Sequence, residues 1–127
     1  MVLLLDTTVL VDVLRDRNDR RSLLANLVDG GHTLATSAIN IGEIYAEMRP
    51  EEETETEAFL SSLHCYPITI SIARLAGSHK RLQATKGKTL GLVDMLIAAT
   101  VIEHKLTLMT DNIKDFPLAD LALYPLS

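Results

Sequence analysis

The stretch Val2-Leu3-Leu4-Leu5-Asp6-Thr7-Thr8 decides the fold. A short run in which every residue is apolar is typical of a strand buried on both faces, as in a parallel sheet covered by helices. Thr7 or Thr8 can cap a helix that continues to about residue 15. The start of the chain therefore predicts a strand and helix unit of an α/β fold.

The same alternation continues to the end of the chain. We predict further strands near residues 32–35, 66–69, 106–109 and 121–125, and helices over 19–29, 38–49, 51–63, 71–86 and 92–104. We take Ser37 and Ser71 as helix caps, and Pro50 as the first residue of a helix whose start is acidic. Strands separated by helices predict a single-domain α/β/α sandwich over residues 1–127, with a central, mostly parallel sheet.

Length and composition favour a cytoplasmic protein. The chain has 127 residues, of which 47% are hydrophobic, and Cys65 is the single cysteine, so no disulfide can form within the chain. The amino-terminal apolar run is too short for a signal peptide. No stretch reaches the roughly 18 apolar residues of a membrane span. We therefore expect no membrane partner.

The formal charge of −5 is distributed unevenly. Residues 1–57 contain twelve acids and five bases, and residues 94–127 contain five acids and two bases. Residues 58–93 contain no acid, and their five bases are Arg74, Lys80, Arg81, Lys86 and Lys88. The net charge argues against a uniformly basic surface for nucleic acid, whereas this segment is a candidate phosphate-binding surface or a solvated helix face.

Two acids closely follow predicted buried strands. Asp6 ends the first strand, and Asp111 lies two residues after the strand near 106–109. Because ligands of open α/β sheets bind at the carboxyl ends of the strands, we expect both side chains in one crevice. The alternative is that Asp6 is a turn or cap residue and that Asp111 forms a local turn.

Asp94 and Glu43 differ in how strongly their surroundings indicate a function. Asp94 is the only ionisable residue between Lys88 and Glu103, within a very apolar segment, where an unpaired carboxylate costs several kcal/mol. It is therefore a buried cap or a functional acid. Glu43 shares the polar side of its predicted helix with Asn40 and Glu47, which is typical of an exposed helical glutamate.

Several acids in one crevice would repel one another and take up protons unless a cation held them ionised. Hard carboxylate oxygens suit Mg²⁺ or Mn²⁺ rather than zinc. Ions of this kind activate water for phosphodiester hydrolysis. The acids therefore indicate a metal-dependent hydrolase of phosphodiesters.

Three motifs resemble a known family. They are Leu4-Leu5-Asp6-Thr7-Thr8-Val9-Leu10-Val11-Asp12, Ser37-Ala38-Ile39-Asn40-Ile41-Gly42-Glu43-Ile44-Tyr45, and Leu92-Val93-Asp94-Met95-Leu96-Ile97-Ala98-Ala99-Thr100 followed by Leu106-Thr107-Leu108-Met109-Thr110-Asp111-Asn112-Ile113-Lys114-Asp115-Phe116. Their order and spacing resemble the PIN-domain ribonucleases, specifically the toxins of VapBC-type toxin–antitoxin pairs. The resemblance covers essentially the whole chain.

The resemblance implies four site acids. Asp6, Glu43 and Asp94 match three of them, and the resemblance raises Glu43 above an ordinary surface glutamate. Asp115 matches the usual position of the fourth, whereas Asp111 matches the position used by other members and stands where Arg or Asn is commoner. We favour Asp111 because it is nearer the strand end, with Asp115 at the rim or in support. Thr7 and Thr110 match positions whose hydroxyls support the site.

The implied activity is metal-dependent cleavage of RNA by water. Asp6, Asp94 and Asp111 would hold Mg²⁺ or Mn²⁺, and Glu43 would orient the nucleophile or bind the metal through water. RNA is the implied substrate, and the acid-free segment would bind its phosphates. The resemblance also implies a homodimer and a small cognate antitoxin, which covers an apolar groove and inserts a basic side chain among the acids.

Three alternatives remain. A phosphotransfer enzyme or receiver fits poorly, because Thr8 stands where such a site requires an acid, and Thr110-Asp111 stands where a receiver has lysine. The chain is otherwise a catalytically silent PIN-like interaction module or a housekeeping RNA-processing nuclease. Its complete set of acids argues against a silent module.

Overall fold

Five parallel strands form one central sheet in the computed structural model, which describes residues 1–126. In chain order they are β1 (Val2–Leu5), β2 (Thr33–Ser37), β3 (His64–Tyr66), β4 (Thr107–Met109) and β5 (Leu123–Tyr124). Across the sheet the order is β3-β2-β1-β4-β5. All four strand pairs are parallel, so the carboxyl ends of the strands lie along one edge.

β1 lies at the centre of the sheet because its side chains are apolar on both faces. Leu3 pairs with Leu34 of β2 and with Thr107 of β4, and Leu3, Leu4 and Leu5 are fully buried. Such a strand is stable only where helices cover both faces. This confirms the α/β/α sandwich predicted from the first residues of the chain.

Six helices cover the sheet. They are α1 (Thr7–Leu14), α2 (Arg20–Asp29), α3 (Ala38–Glu47), α4 (Glu53–Ser61), α5 (Ile70–Thr85) and α6 (Leu92–Glu103). Ile72 of α5 and Met95 of α6 pack with Leu4 on one face. Residues of α1, α2, α3 and α4 pack with Leu3 and Leu5 on the other. No helix within residues 1–126 is both long enough and apolar enough to cross a membrane.

Three details of the predicted elements are wrong at the boundaries. α1 is capped by Asp6 rather than by Thr7 or Thr8, since an Asp6 carboxylate oxygen accepts a hydrogen bond from the Thr7 backbone amide. α5 is capped by Thr69 rather than by Ser71. β3 begins two residues earlier than predicted and ends at Tyr66, before a proline that has no N–H for the sheet.

Two predicted helix starts are confirmed. Ser37 accepts a hydrogen bond from the Asn40 amide and caps α3. Pro50 is the first residue of a short 3₁₀ turn, Pro50–Glu52, that leads into α4. α3 itself ends at Glu47, before this turn.

Candidate active site

A cleft of about 400 Å³ opens at the carboxyl edge of the sheet, and its walls are mostly polar. Asp6 comes from the end of β1, Glu43 from α3 and Asp94 from the first turn of α6. The other residues that line it are Thr7, Thr8, Val11, Asp12, Arg17, Glu47 and Asn112. The topology thus brings together three acids that are far apart in the sequence.

Asp6 is the most buried of these acids, with 5% of its surface exposed. Its carboxylate accepts hydrogen bonds from the Thr110 hydroxyl at 2.7 Å, the Thr7 amide at 2.8 Å and the Asn40 amide group at 3.4 Å. Burial raises the pKa of Asp6, and these hydrogen bonds oppose the rise. The carboxylate is therefore fixed in orientation, and it is both a helix cap and a wall of the cleft.

A chain of hydrogen bonds orients Glu43. The Thr7 hydroxyl donates to a Glu43 carboxylate oxygen at 2.6 Å and accepts from the Asn40 side chain at 3.0 Å. The Ser37 hydroxyl in turn contacts the Asn40 side-chain oxygen at 2.6 Å. Glu43 is thus a half-buried acid held by its neighbours rather than the exposed helical glutamate that the pattern alone indicated.

Asn40 is fully buried at the centre of this network. Amphipathic patterning placed it on the solvent side of α3, because an amide side chain scores as polar. Its position one turn before Glu43 and three residues after the Ser37 cap was the available signal. Asn40 is therefore part of the site, as the residue that links Asp6 to Thr7.

The negative charges of three other acids act on Asp94. Partial burial raises its pKa to about 6, and the negative charges of Asp6, Asp115 and Glu43 contribute to the rise. Its place in the first turn of α6 provides free backbone amides but no basic partner. A cation would remove this repulsion while keeping the carboxylates ionised.

The two candidates for the fourth acid have different environments. The Asp111 carboxylate is bound to the Arg20 guanidinium at 2.8 Å, although it is near enough to Asp6 to contribute to the raised pKa of Asp6. Asp115 closes a 3₁₀ turn, Ile113–Asp115, and contributes to the raised pKa of Asp94. On either side of Asp111, the Thr110 hydroxyl accepts a hydrogen bond from the Asn112 amide at 3.0 Å.

The side chains of the cleft carry the oxygen ligands that a hard divalent cation prefers. Within residues 1–126, no three His, Cys, Asp or Glu side chains are already close enough together to hold an ion. The acids nevertheless raise one another's pKa, and they offer only oxygen ligands. In addition, the Thr8 hydroxyl is buried with no hydrogen-bond partner among the described residues. A divalent cation and its waters would satisfy both features.

The candidate RNA-binding residues lie on α5 and on the segment that leads to α6. Arg74, Arg81, Lys86 and Lys88 are exposed, whereas the half-buried Lys80 donates a hydrogen bond to the Leu90 carbonyl, just before α6 begins. Lys80 therefore has a structural contact close to Asp94. Arg17, which the sequence did not single out, is the basic residue that lines the cleft.

Comparison with known proteins agrees with this geometry. The family model described as the PIN domain matches residues 3–120. Among curated relatives, ribonuclease VapC19 of Mycobacterium tuberculosis is 36% identical over 115 residues, covering 91% of this chain and 92% of the relative. Ribonuclease VapC10 of the same organism is 35% identical over 117 residues, covering 92% of this chain and 87% of the relative.

A solved structure is similar over its full length. The crystal structure of VapBC2 from Rickettsia felis, bound to a DNA fragment from its promoter, contains a chain that matches with a TM-score of 0.87. It is 25% identical, and the match covers 100% of both chains. This chain therefore shares the arrangement of helices around the parallel sheet with one chain of the VapBC2 structure.

Proposed function

Because the chain belongs to the PIN-domain family, we propose that it is a metal-dependent endoribonuclease that acts as the toxin of a toxin–antitoxin pair. It hydrolyses phosphodiester bonds of RNA, and a cognate antitoxin inhibits it. The observation that carries this proposal is the cleft that Asp6, Glu43 and Asp94 line together, where burial and the neighbouring negative charges raise the pKa of Asp94. Carboxylates grouped in this way are typical of a site that holds a divalent cation.

Asp6 and Asp94 would hold Mg²⁺ or Mn²⁺ together with an acid of the segment after β4. The sequence favours Asp111, while the ion pair of Asp111 with Arg20 leaves Asp115 as the acid that faces Asp94. A divalent ion bound there would lower the pKa of a water molecule and stabilise the negative charge that develops on the phosphodiester.

The protein's own residues orient the reaction. Three donors hold the Asp6 carboxylate in a single orientation. The Thr7 hydroxyl holds Glu43 at the side of the cleft, where its second oxygen can accept a hydrogen bond from the attacking water. Positioning by such fixed groups accounts for much of the rate of phosphodiester hydrolysis.

RNA binding requires more than the cleft provides. Five acids and one arginine are among the residues that line the cleft. Without a bound cation, the cleft would therefore repel phosphate. The exposed bases of residues 58–93, with Lys86 and Lys88 closest along the chain to Asp94, would bind the RNA backbone. RNA should therefore bind tightly only when a metal ion neutralises the acids.

An apolar groove of about 790 Å³ is the proposed docking surface of the antitoxin. Its walls include Val13 of α1, Leu24 and Val28 of α2, and Phe59 of α4. Val28 is 52% exposed, which is high for an apolar side chain in a groove of this size. A basic side chain of the antitoxin would then enter the cleft and replace the metal ion. We also propose that the toxin is a homodimer.

RNA cleavage tests the proposal directly. Total RNA is incubated with the wild type, Asp6→Asn and Asp94→Asn, with Mg²⁺, with Mn²⁺ or with a chelator. We expect cleavage by the wild type only when metal is present, and a loss of at least about 100-fold in either variant. Asp120→Asn, at an exposed acid outside the cleft, is the matched control. Equal cleavage by wild type and variants would show that the activity belongs to another site or to a contaminant.

Co-expression separates the toxin from the alternatives. A cognate antitoxin should abolish both growth arrest and cleavage. Cleavage that no neighbouring gene product inhibits would indicate a housekeeping nuclease. Growth arrest that persists in Asp6→Asn would indicate a silent interaction module.

A further inference from the structure

Arg20 is a buried cation beside the proposed metal site. It is the first residue of α2, and 7% of its surface is exposed. One guanidinium nitrogen, Nη2, lies 2.8 Å from Asp111 Oδ1, and Nε lies 4.0 Å from Asp12 Oδ2. The side chain therefore connects α1, α2 and the segment that follows β4.

The burial of Arg20 makes this connection strong. A guanidinium removed from water needs carboxylate partners, and the Arg20 side chain is 9% exposed whereas that of Asp111 is 34% exposed. Nε of Arg20 is buried and has no hydrogen-bond partner among residues 1–126, so the Asp111 contact is the principal compensation for its charge. The backbone carbonyl of Asn18 adds a weak contact at 3.5 Å.

The segment after β4 is attached at two points. At its start, Thr110 donates to Asp6 and accepts from the Asn112 amide. Asp111, between these residues, is turned toward Arg20. Asp115, the last residue of the 3₁₀ turn, is half-buried, and its charge acts on Asp94. The two acids of one short segment are thus directed to different partners.

We infer that Arg20 is a positioning residue that withholds Asp111 from the metal-binding acids of the cleft. This inference rests on the proposed metal-dependent function. In physical terms, a carboxylate that is paired with a buried guanidinium gains little from a divalent cation, because its charge is already neutralised. Arg20 thereby limits the negative charge that the cleft presents.

Titration of the intact protein with Mn²⁺, followed by electron paramagnetic resonance, tests the assignment of the two acids. We expect Asp115→Asn to raise the Kd for Mn²⁺ at least tenfold, and Asp111→Asn to change it less than threefold. The reverse ranking would overturn the inference while leaving the metal site in place. Failure of the wild type to bind Mn²⁺ would overturn both the inference and the proposed function.

Substitution of Arg20 tests its positioning role. Arg20→Gln removes the cation and frees Asp111, so Mn²⁺ should bind at least threefold more tightly, and adding Asp111→Asn should then weaken binding at least fivefold. If Arg20 only stabilised the fold, Arg20→Gln would weaken Mn²⁺ binding instead, and that result would overturn the inference. Arg21→Gln, next in the chain and largely exposed, is the matched control. If Arg20→Gln does not fold, the comparison of Asp111→Asn with Asp115→Asn decides.

Discussion

The carboxylate cleft and the apolar groove share helix α1 but differ in size and chemistry. The groove is about 790 Å³ and its walls are largely apolar, whereas the cleft is about 400 Å³ and its walls contain five acids. Val13 of α1 lines the groove, and Thr7, Thr8 and Asp12 of the same helix line the cleft. One helix of eight residues thus borders both surfaces.

The difference shows that the size of a cavity does not identify the chemical site. Apolar side chains in a groove cost little and favour a protein partner. Acids crowded in a cleft repel one another, and together with burial this repulsion raises the pKa of Asp94. Groups held at such a cost are typical of function rather than of stability.

The largest expected effect is on antitoxin binding, and it concerns the groove rather than the cleft. Val28→Asp would place an unpaired charge under the antitoxin and weaken its binding by about 30- to 100-fold, because a buried, unpaired charge costs several kcal/mol. Folding should be little affected, since Val28 is 52% exposed. The measurement is the Kd of the cognate antitoxin. Asn26→Asp, on the same helix but outside the groove lining, is the control. Unchanged affinity would remove the groove from the antitoxin interface.

The next effect concerns the cleft alone. Thr7→Val keeps the shape of the side chain but removes the hydroxyl that joins Glu43 to Asn40. We expect kcat for RNA cleavage to fall by about 10- to 50-fold, because groups that orient site residues contribute on this scale. Antitoxin docking in the groove should not change. Thr7→Ser should restore most of the activity, and full activity in Thr7→Val would contradict the role of the network.

A smaller effect is expected at the exposed lysines between α5 and α6. Reversing the charges of Lys86 and Lys88 to Glu should weaken RNA binding by about five- to tenfold in moderate salt. The salt dependence should also become shallower, by roughly 0.7 in logarithmic slope for each lost phosphate contact. A binding titration with metal present measures both quantities. Lys105→Glu, at the far end of α6, serves as control. An unchanged slope would assign these lysines to solvation only.

The smallest effect is one of stability. The pKa of Asp94 is raised from 3.8 to about 6 in the folded state, so the folded state binds more protons than the unfolded chain between these values. Stability contributed by Asp94 is therefore fully present at low pH and is lost as the pH rises through about 6. Without metal at pH 7.5, Asp94→Asn should be more stable than the wild type by on the order of 1 kcal/mol, allowing for solvent screening.

Denaturant unfolding in the presence of a chelator measures this difference. It should shrink toward zero below about pH 3, where the carboxyl group is mostly protonated in both states. A variant that is less stable than the wild type at pH 7.5 would mean that the Asp94 carboxylate stabilises the fold. The cleft would then not carry the electrostatic cost that distinguishes it from the groove.

Much of the fold could be predicted from local sequence, because its signals are strong and short in range. The apolar run of β1 required helices on both faces, and the alternation of elements predicted the parallel sheet. The boundaries at Asp6, Thr69 and Tyr66 were less predictable, since several neighbouring residues can cap a helix equally well and a hydrogen bond selects one. For α1 that bond is the one to Asp6.

The candidate site was predictable to a different degree at each residue. Asp94 stood out because an ionisable group in an apolar segment needs compensation. Glu43 was recognised through the resemblance, since its helix pattern alone indicated solvent. Asn40 and Arg20 were not singled out, because their partners Thr7 and Asp111 lie 33 and 91 residues away along the chain.

The sequence by itself determined the sandwich and the acids available at one edge, because backbone geometry and hydrophobic patterning act over a few residues. Only the tertiary structure decided which groups meet. It turned Asp111 toward Arg20, brought Asp115 near Asp94, and buried Asn40 between Asp6 and Thr7. The physical reason is that ion pairs and hydrogen bonds depend on distances in space, which the packing of helices on the sheet sets and the order of residues does not record.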